Sequence, residues 1–488
     1  MVTGGETIAA GGLWAGSANR IGDRQESSAW RDERAAVALV VLVAAALFVP
    51  GLPAPFLFDD FADVVDNAAA QPATFLGELP GTVRPLLKAS YAANAWAHGP
   101  WAPGYRAVNL ALHLVATILV WRLMRAILGG EGAVGGRAAV LATAVWAFHP
   151  LAVESVTRVS GRSAALSGVL ALAACLLATS TRPAGTSQAM AVGLAALLAP
   201  LARETALVLP AALLLWQLTL APRERARVVM ARHVPVWIGT GMAATLIALL
   251  PRHRELASFG LRASAPLDTL RTNAFAIPEM LSLLVRPWAV SIDPAGPVVA
   301  PWLSAPTVLR VVALLVAAAA VAVLRRRSPL ATFAIGWTLL WLLPSNSVIL
   351  RLDPVGVRPL YLASLGPALC IGLGAARLAR LGQRPARLVT LAAGTILVAL
   401  AGMTAVASRR ACDPIAEWRH AVSLAAGRAR PHVGLGMEYL RAGRLAEAEL
   451  ELSTALDLAP WLVTARCALE GVRIDRAVRG RAPHGGDG

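Results

Sequence analysis

The feature that most constrains this chain is a succession of apolar stretches, each close to the thickness of a bilayer, separated by short arginine-bearing loops. A helix needs about 20 mostly apolar residues to cross a membrane, or about 17 if short. Such stretches fall near 36–54, 105–127, 137–153, 163–180, 187–201, 205–221, 234–250, 306–324, 329–349, 359–378 and 387–407. They predict an all-α polytopic membrane protein with about eleven transmembrane helices. A further apolar segment, 273–289, contains Pro278, Glu279 and Arg286 and reads as re-entrant or interfacial.

Composition agrees. Of 488 residues, 57% are hydrophobic and 15% charged, where a soluble domain has about 25% charged. This excludes an ordinary soluble enzyme, a disordered chain and a secreted disulfide scaffold. The net charge of +16 does not indicate nucleic acid. All 45 basic residues but Lys88 are arginine, which reflects a GC-rich coding sequence, and many flank apolar stretches as the positive-inside rule requires. The expected surroundings are membrane lipid, with no nucleic acid. Cys175 and Cys370 lie in apolar runs; Cys412 and Cys467 lie in the tail, where they could pair. No CxxC or Cys/His cluster is present, so no structural metal site is expected.

Arginine placement predicts orientation. Arg20, Arg24, Arg31 and Arg34 precede the first span; Arg122 and Arg125 follow the second; Arg223, Arg225, Arg227 and Arg232 follow the sixth; Arg325, Arg326 and Arg327 follow the eighth; Arg377, Arg380, Arg384 and Arg387 separate the last two. With eleven spans all lie on one side, which makes that side cytoplasmic. The expectation is a multi-pass protein of the plasma (inner) membrane, its N-terminus cytoplasmic and its C-terminal tail extracytoplasmic. The first 34 residues lack an apolar core, so no cleavable signal peptide is expected at the start. One loop resists the pattern: 251–272 carries Arg252, Arg254, Arg262 and Arg271 on the external side. Either the span count is wrong there or these arginines have a ligand.

Four regions follow: a flexible N-terminal segment 1–35, a multi-span domain 36–408, a helical tail 409–474 and a disordered C-terminus 475–488. The tail is less apolar and has helical periodicity. A tetratricopeptide unit of about 34 residues fits from Ala429 to Leu462, with Leu435, Gly436, Tyr439, Ala448, Ala455 and Pro460 at expected positions. His432 replaces the usual Trp and Leu452 the usual Phe. A generic helical hairpin is the alternative. Because about three repeats are normally needed for independent stability, the tail should lean on the membrane domain or a partner.

Residues able to carry chemistry gather on the predicted external side. Asp59-Asp60 follow the first span; one carboxylate could act as general base or hold a cation, or the pair could cap a helix. Adjacent side chains diverge, so one of the two is the better candidate. His149, Glu154, Arg158 and Arg162 join two spans, where ionisable groups mark a site or pathway; for Arg158, snorkelling is the simpler reading. Arg203-Glu204 could be a local ion pair in a tight turn. The run from Arg351 to Tyr361 places Arg358 at a helix start, unfavourable for the helix dipole, and suggests an anionic ligand or an interface anchor. Arg84-Pro85, with Lys88 one turn on, lies in the first external loop, where a solvated basic face is the alternative. His98 and His113 read as structural histidines.

Taken in order, these motifs resemble the TMTC-type protein O-mannosyltransferases and their bacterial relatives, over about Pro50 to Pro460. The resemblance rests on Phe58-Asp59-Asp60 with Asn67, Arg84-Pro85-Leu86, Gly104-Tyr105 with Asn109 and His113, and His149-Pro150, Glu154 and Ser160-Gly161-Arg162. It continues through Arg203-Glu204 in place of Lys-Glu, then Pro344, Asn346, Arg358, Tyr361 and Leu362. Two departures stand out: Val357 occupies the family's Glu position, and the repeat array is very short. The resemblance implies a glycosyltransferase of the GT-C architecture that takes a sugar, such as mannose, from a polyprenyl-phosphate carrier at the external face. A hydroxyl of protein Ser/Thr would be the acceptor. It implies Asp59 or Asp60 as base, Arg358 and Arg162 with Arg84 at the donor phosphate, and Glu154 positioning acceptor, sugar or cation. His149, Arg203, Glu204 and Tyr361 are further site candidates. No metal is obliged, although Asp59, Asp60 and Glu154 could form an oxygen-rich divalent-cation site. Competing readings are a transferase or ligase acting on an envelope glycan or lipid, a transporter of lipid-linked intermediates, and a non-catalytic scaffold.

Overall fold

The computed structural model describes residues 12–128, 132–180, 185–220, 226–294, 301–346 and 355–481. Every regular element among them is helical. The principal helices are α1 (Gly12–Phe48), α2 (Pro85–His98), α3 (Ala102–Leu128), α4 (Gly132–Ala147), α5 (Arg162–Thr179), α6 (Thr186–Ala202), α7 (Leu209–Thr219), α8 (Ala226–Leu249), α9 (Pro251–Ala263) and α10 (Pro266–Ser282). They are followed by α11 (Ala305–Leu324), α12 (Pro329–Leu342), α13 (Leu365–Ala379), α14 (Gln383–Arg410), α15 (Pro414–Leu424), α16 (Ala429–Arg441), α17 (Leu445–Leu458) and α18 (Val463–Arg481).

Six helical segments are long and apolar enough to cross a membrane: Trp30–Gly51, Ala102–Leu128, Arg162–Thr179, Ala305–Leu324, Leu360–Ala379 and Gln383–Arg410. A seventh arises if Arg232–Leu249 and Pro251–Phe259, bent by 78°, form one broken span. Three of the other predicted stretches are the shorter apolar helices Val134–Ala147, Thr186–Ala202 and Glu204–Thr219. Another is α12, 14 residues long. At about 1.5 Å per residue such a helix covers about 21 Å, less than a bilayer core. By length and apolar content six of the described helices qualify as spans, or seven with the bent pair, and the other four predicted stretches are shorter apolar helices. Apolar content located these segments; where chain breaks fall between them set their lengths.

Alanine and glycine let the helices approach closely, the usual way to pack inside a membrane. A Cβ on Gly372 of α13 would come within 2.7 Å of the Ala138 carbonyl oxygen on α4. A Cβ on Gly239 of α8 would strike the backbone of Gly193 on α6. By contrast, α11 and α14 leave large apolar residues exposed, among them Leu309, Leu315, Val316 and Leu391. An apolar face without a protein partner is what a lipid-facing helix presents.

The bend after α8 also accounts for the arginines of 251–272. Arg252 pairs with Glu255 (3.0 Å) and Arg271 with Asp268 (3.0 Å), each within one helical turn, while Arg254 donates to the Leu249 carbonyl (3.3 Å). Each of these three thus has an acid or a backbone oxygen within its own helical neighbourhood. The side chain of Arg262 lies outside the described set, as do those of Arg20, Arg24, Arg223, Arg225 and Arg227 and residues 347–354.

The last four helices form the tail. Asp413 caps α15, its carboxylate accepting from the amides of Ile415 (3.0 Å) and Ala416 (3.1 Å), with Pro414 at the first helical position. Helices α16 and α17 form a hairpin in which Ala448, Leu452 and Ala455 are fully buried. A Cβ on Gly436 would come within 2.8 Å of Leu452, so a small residue is required there. His432 bonds Glu451 (2.6 Å) and the Ala426 carbonyl (2.9 Å), tying the two helices to the preceding turn. Helix α18 runs to Arg481; residues 482–488 lie outside the described set. All four cysteines, including Cys412 and Cys467, are free thiols.

Candidate functional site

The C-terminal ends of α1, α4 and α14 and the N-terminal ends of α3 and α5 meet at one end of the bundle. There the segment Gly51–Asp66 lies over the turn Thr157–Gly161. Buried Arg106, near the start of α3, clamps the two: it donates to the carbonyls of Ala54 and Pro55 on one segment and of Thr157 (2.6 Å) on the other. Nothing in the local sequence singles out Arg106. Asn109, one turn on, donates to the carbonyls of Val156 (3.4 Å) and Arg158 (2.9 Å). These bonds leave few backbone oxygens in the turn unpaired, as burial demands.

Phe58 has φ of 45°, a region costly for a bulky side chain and found where surrounding structure over-determines it. The only other non-glycine residue with positive φ among the described residues is Arg84 (58°), immediately before Pro85. Both strained positions lie in motifs that the sequence singled out.

The kink at Phe58 sends the two aspartates in opposite directions. Asp60 is fully buried; it accepts from the amides of Ser160 (2.8 Å) and Leu57 (3.1 Å) and lies 3.8 Å from Arg106. Its carboxylate is spent on holding two loops together. The Asp59 side chain is 42% exposed and faces a cavity of about 90 Å³. Glu154, Arg158, Ser160, Asp293, Val357, Arg358 and Arg430 also line it.

Arg358 is central to the site. Its Nη2 donates to Asp59 Oδ2 (2.9 Å) and Ser160 Oγ (3.0 Å), and its Nε donates to Glu154 Oε1 (2.9 Å). The other Glu154 oxygen pairs with Arg158 Nε at 2.7 Å. Burial by itself would depress the Arg358 guanidinium, but Glu154 and Asp59 outweigh it and hold it more firmly cationic than usual. Arg158 is not a snorkelling anchor: it is buried and held by Glu154 and, at 2.6 Å, by Glu417 of α15. Glu417 and Arg430, both from the tail, were invisible to sequence reading. No periodicity or motif connects Glu417 to Arg158, 259 positions away.

Arg162 does not reach this cavity. It is fully buried, donating to Asn109 Oδ1 (2.7 Å), the Ser90 carbonyl (3.0 Å) and the Tyr105 carbonyl (2.9 Å), and it stacks 4.8 Å from the Tyr91 ring centroid. A phosphate could recruit it only by breaking these bonds. Arg84 belongs to a second cluster, where its Nε pairs with Glu204 (3.0 Å), which also meets His253 (3.2 Å). Arg203 is buried and donates to Ser163 Oγ (3.1 Å). His149 accepts from the Leu151 amide through Nδ1 (3.2 Å) and reaches the Leu284 carbonyl (3.2 Å). It is buried, outside the lining of the cavity. Tyr361 is buried, its hydroxyl 2.9 Å from His113 Nδ1. Among the described residues, no group of three or more His, Cys, Asp or Glu is placed to hold a metal ion.

These features define an all-helical membrane protein with an acid–arginine cluster at one end of its bundle. No family model and no solved structure matches the chain. Curated proteins do. It is 29% identical to Protein O-mannosyl-transferase TMTC3 of Mus musculus over 161 residues, covering 30% of this chain and 17% of that protein. It is 32% identical to Protein O-mannosyl-transferase Tmtc3 of Drosophila melanogaster over 150 residues, covering 25% and 16%. With Tmtc2 of the same fly the identity is 34% over 133 residues, covering 24% and 14%. The matched stretch thus spans about a sixth of those relatives' own length. The chain is related to the TMTC-type protein O-mannosyltransferases.

Proposed function

We propose that this protein is an integral-membrane glycosyltransferase of GT-C type, moving a sugar from a polyprenyl-phosphate carrier to a hydroxyl, with protein Ser/Thr the favoured acceptor. The site faces the extracytoplasmic side of the plasma membrane in this reading, and the tail is a tetratricopeptide-like module. The observation that carries the proposal is the exposed Asp59 carboxylate held at 2.9 Å by an arginine in a cavity, beside a buried Asp60 that fixes the loop. Relatedness to proteins named O-mannosyltransferases supplies the sugar chemistry.

In the proposed step Asp59 takes the proton of the acceptor hydroxyl as its oxygen attacks the anomeric carbon. The bond from that carbon to the phosphate oxygen breaks, its electron pair leaves with the carrier phosphate, and configuration inverts. Arg358 stabilises the charge developing on the phosphate. An incoming phosphate competes with Asp59 for the guanidinium, which frees the carboxylate as the leaving group is gripped. Glu154 keeps Arg358 aimed into the cavity. Arg162 and the Arg84–Glu204 pair hold the surrounding loops, outside the lining of the cavity.

The test is transfer of radiolabel from polyprenyl-phosphate sugars in membranes, comparing the native chain with Asp59→Asn. Label in protein that depends on Asp59 supports the proposal. Label in glycan or lipid alone assigns a different acceptor, and no label from any donor with folded protein rejects the reading.

A further inference from the structure

Six side chains form an unbroken line of alternating charge from the cavity into the tail: Asp59, Arg358, Glu154, Arg158, Glu417 and Arg410. Successive separations are 2.9, 2.9, 2.7, 2.6 and 2.7 Å. Three acids face three arginines, so the line is neutral only when complete. Exposure falls from 42% at Asp59 to 3% at Glu417, and the inner members therefore interact with little screening by water.

We infer that the tail is a working part of the candidate site: Glu417 is a positioning residue for Arg358, and Arg430 is a tail-borne wall of the ligand cavity. Two further contacts seat the tail at this place. Trp418 packs edge-on against Phe58 (5.3 Å, 84°), the strained residue that aims Asp59. Arg430 lies 5.2 Å from the same ring centroid and 3.6 Å from Asp293. Helix α15 thus presses on both the backbone that presents Asp59 and the ion pairs that hold Arg358.

Glu154 is shared, one oxygen for Arg358 and one for Arg158. Arg158 is shared in turn between Glu154 and Glu417. Removing the Glu417 charge leaves buried Arg158 with Glu154 as its acidic partner. Arg158 then competes for the carboxylate that aims Arg358. The expected consequence is a guanidinium that no longer meets the leaving phosphate in register, while the helices stay folded. Arg430 lines the same cavity as Asp59, so Arg430 acts on substrate affinity and Glu417 on the chemical step.

This inference rests on the glycosyl-transfer reading for its catalytic consequence but not for its structural one, and the full chain in detergent tests both. Glu417→Gln is expected to lower kcat for transfer from a polyprenyl-phosphate sugar at least tenfold with KM within about twofold. Glu417→Asp should recover most of kcat, and Arg430→Gln should raise KM with kcat retained. Hydrogen exchange over 154–162 and 355–361 should rise in Glu417→Gln and return in Glu417→Asp. Transfer in Glu417→Gln equal to the native rate overturns the inference. If the native chain transfers no sugar, the glycosyltransferase reading falls, and exchange decides the tail's role: unchanged exchange in Glu417→Gln overturns it, raised exchange upholds it.

Discussion

Arg358 Nη2 lies 2.9 Å from Asp59 Oδ2 although 299 positions separate the two residues. Each comes from a loop at the same end of the bundle. In the proposed reaction they exchange partners, the arginine for a phosphate and the aspartate for a hydroxyl proton. Several outcomes can be measured.

Asp59→Asn is expected to lower transfer by about 10²–10⁴, the usual contribution of a positioned general base. Because the side chain is 42% exposed, melting temperature should stay close to native. Residual activity above a tenth of native would sink the base assignment.

Asp60→Asn should behave in the opposite sense. The residue is fully buried, accepts two backbone amides and lies near Arg106. Loss of the charge weakens charge-assisted bonds by about 1–3 kcal/mol and leaves Arg106 less compensated. A lower melting temperature, with activity lost in proportion to folded protein, is the expected result.

Arg162→Leu removes the donor for Asn109, Ser90 and Tyr105 while leaving their oxygens buried. Each orphaned acceptor costs about 1–3 kcal/mol. Poor yield or a markedly lower melting temperature is expected, and Arg162→Lys should rescue little, since an ammonium cannot reproduce the fork. A stable Arg162→Leu protein with only a raised KM for donor would instead return Arg162 to the phosphate site.

Gly161→Ala should abolish function through the turn itself. An added Cβ would run into the Glu154 carbonyl oxygen, a backbone atom that cannot rotate away. Exchange across 154–162 would report the loosened turn, and a native-like profile with native activity would contradict the geometry.

Docking of the tail should depend on acid. Burial opposes the charged form of Glu417, but Arg158 and Arg410 outweigh it, so its carboxyl titrates below the ordinary value of 4.5. The stabilisation is present in full above that ordinary value and is lost as pH falls through the lower, folded-state one. Cross-linking between α15 and the turn 157–161 should hold at neutral pH and fail as pH falls below 4.5. In Glu417→Gln this acid step should vanish.

Much of the protein was already legible in its residues. Apolar length and arginine placement specify helices in a membrane, because hydrocarbon admits no unpaired backbone. The ordered motifs at Asp59, Glu154, Ser160-Gly161-Arg162 and Arg358 lie together at one end of the bundle. Small residues at Gly436, Ala448 and Ala455 announced a close-packed hairpin, because packing at a short helix crossing is a local matter.

Tertiary structure decided which residues do what. Asp59 and Asp60 are chemically identical in the sequence; only a backbone kink at Phe58, imposed by packing, turns one outward and buries the other. Arg162 and Arg358 look equally suited to a phosphate, yet one is consumed by neighbours and the other faces the cavity. Helix length depends on where the chain bends, which composition does not record, so four of the predicted stretches are shorter helices among the described residues. Glu417 and Arg430 joined the site for the same physical reason. A charge's function depends on what lies within about 4 Å of it, and those neighbours arrive from distant parts of the chain only when it folds.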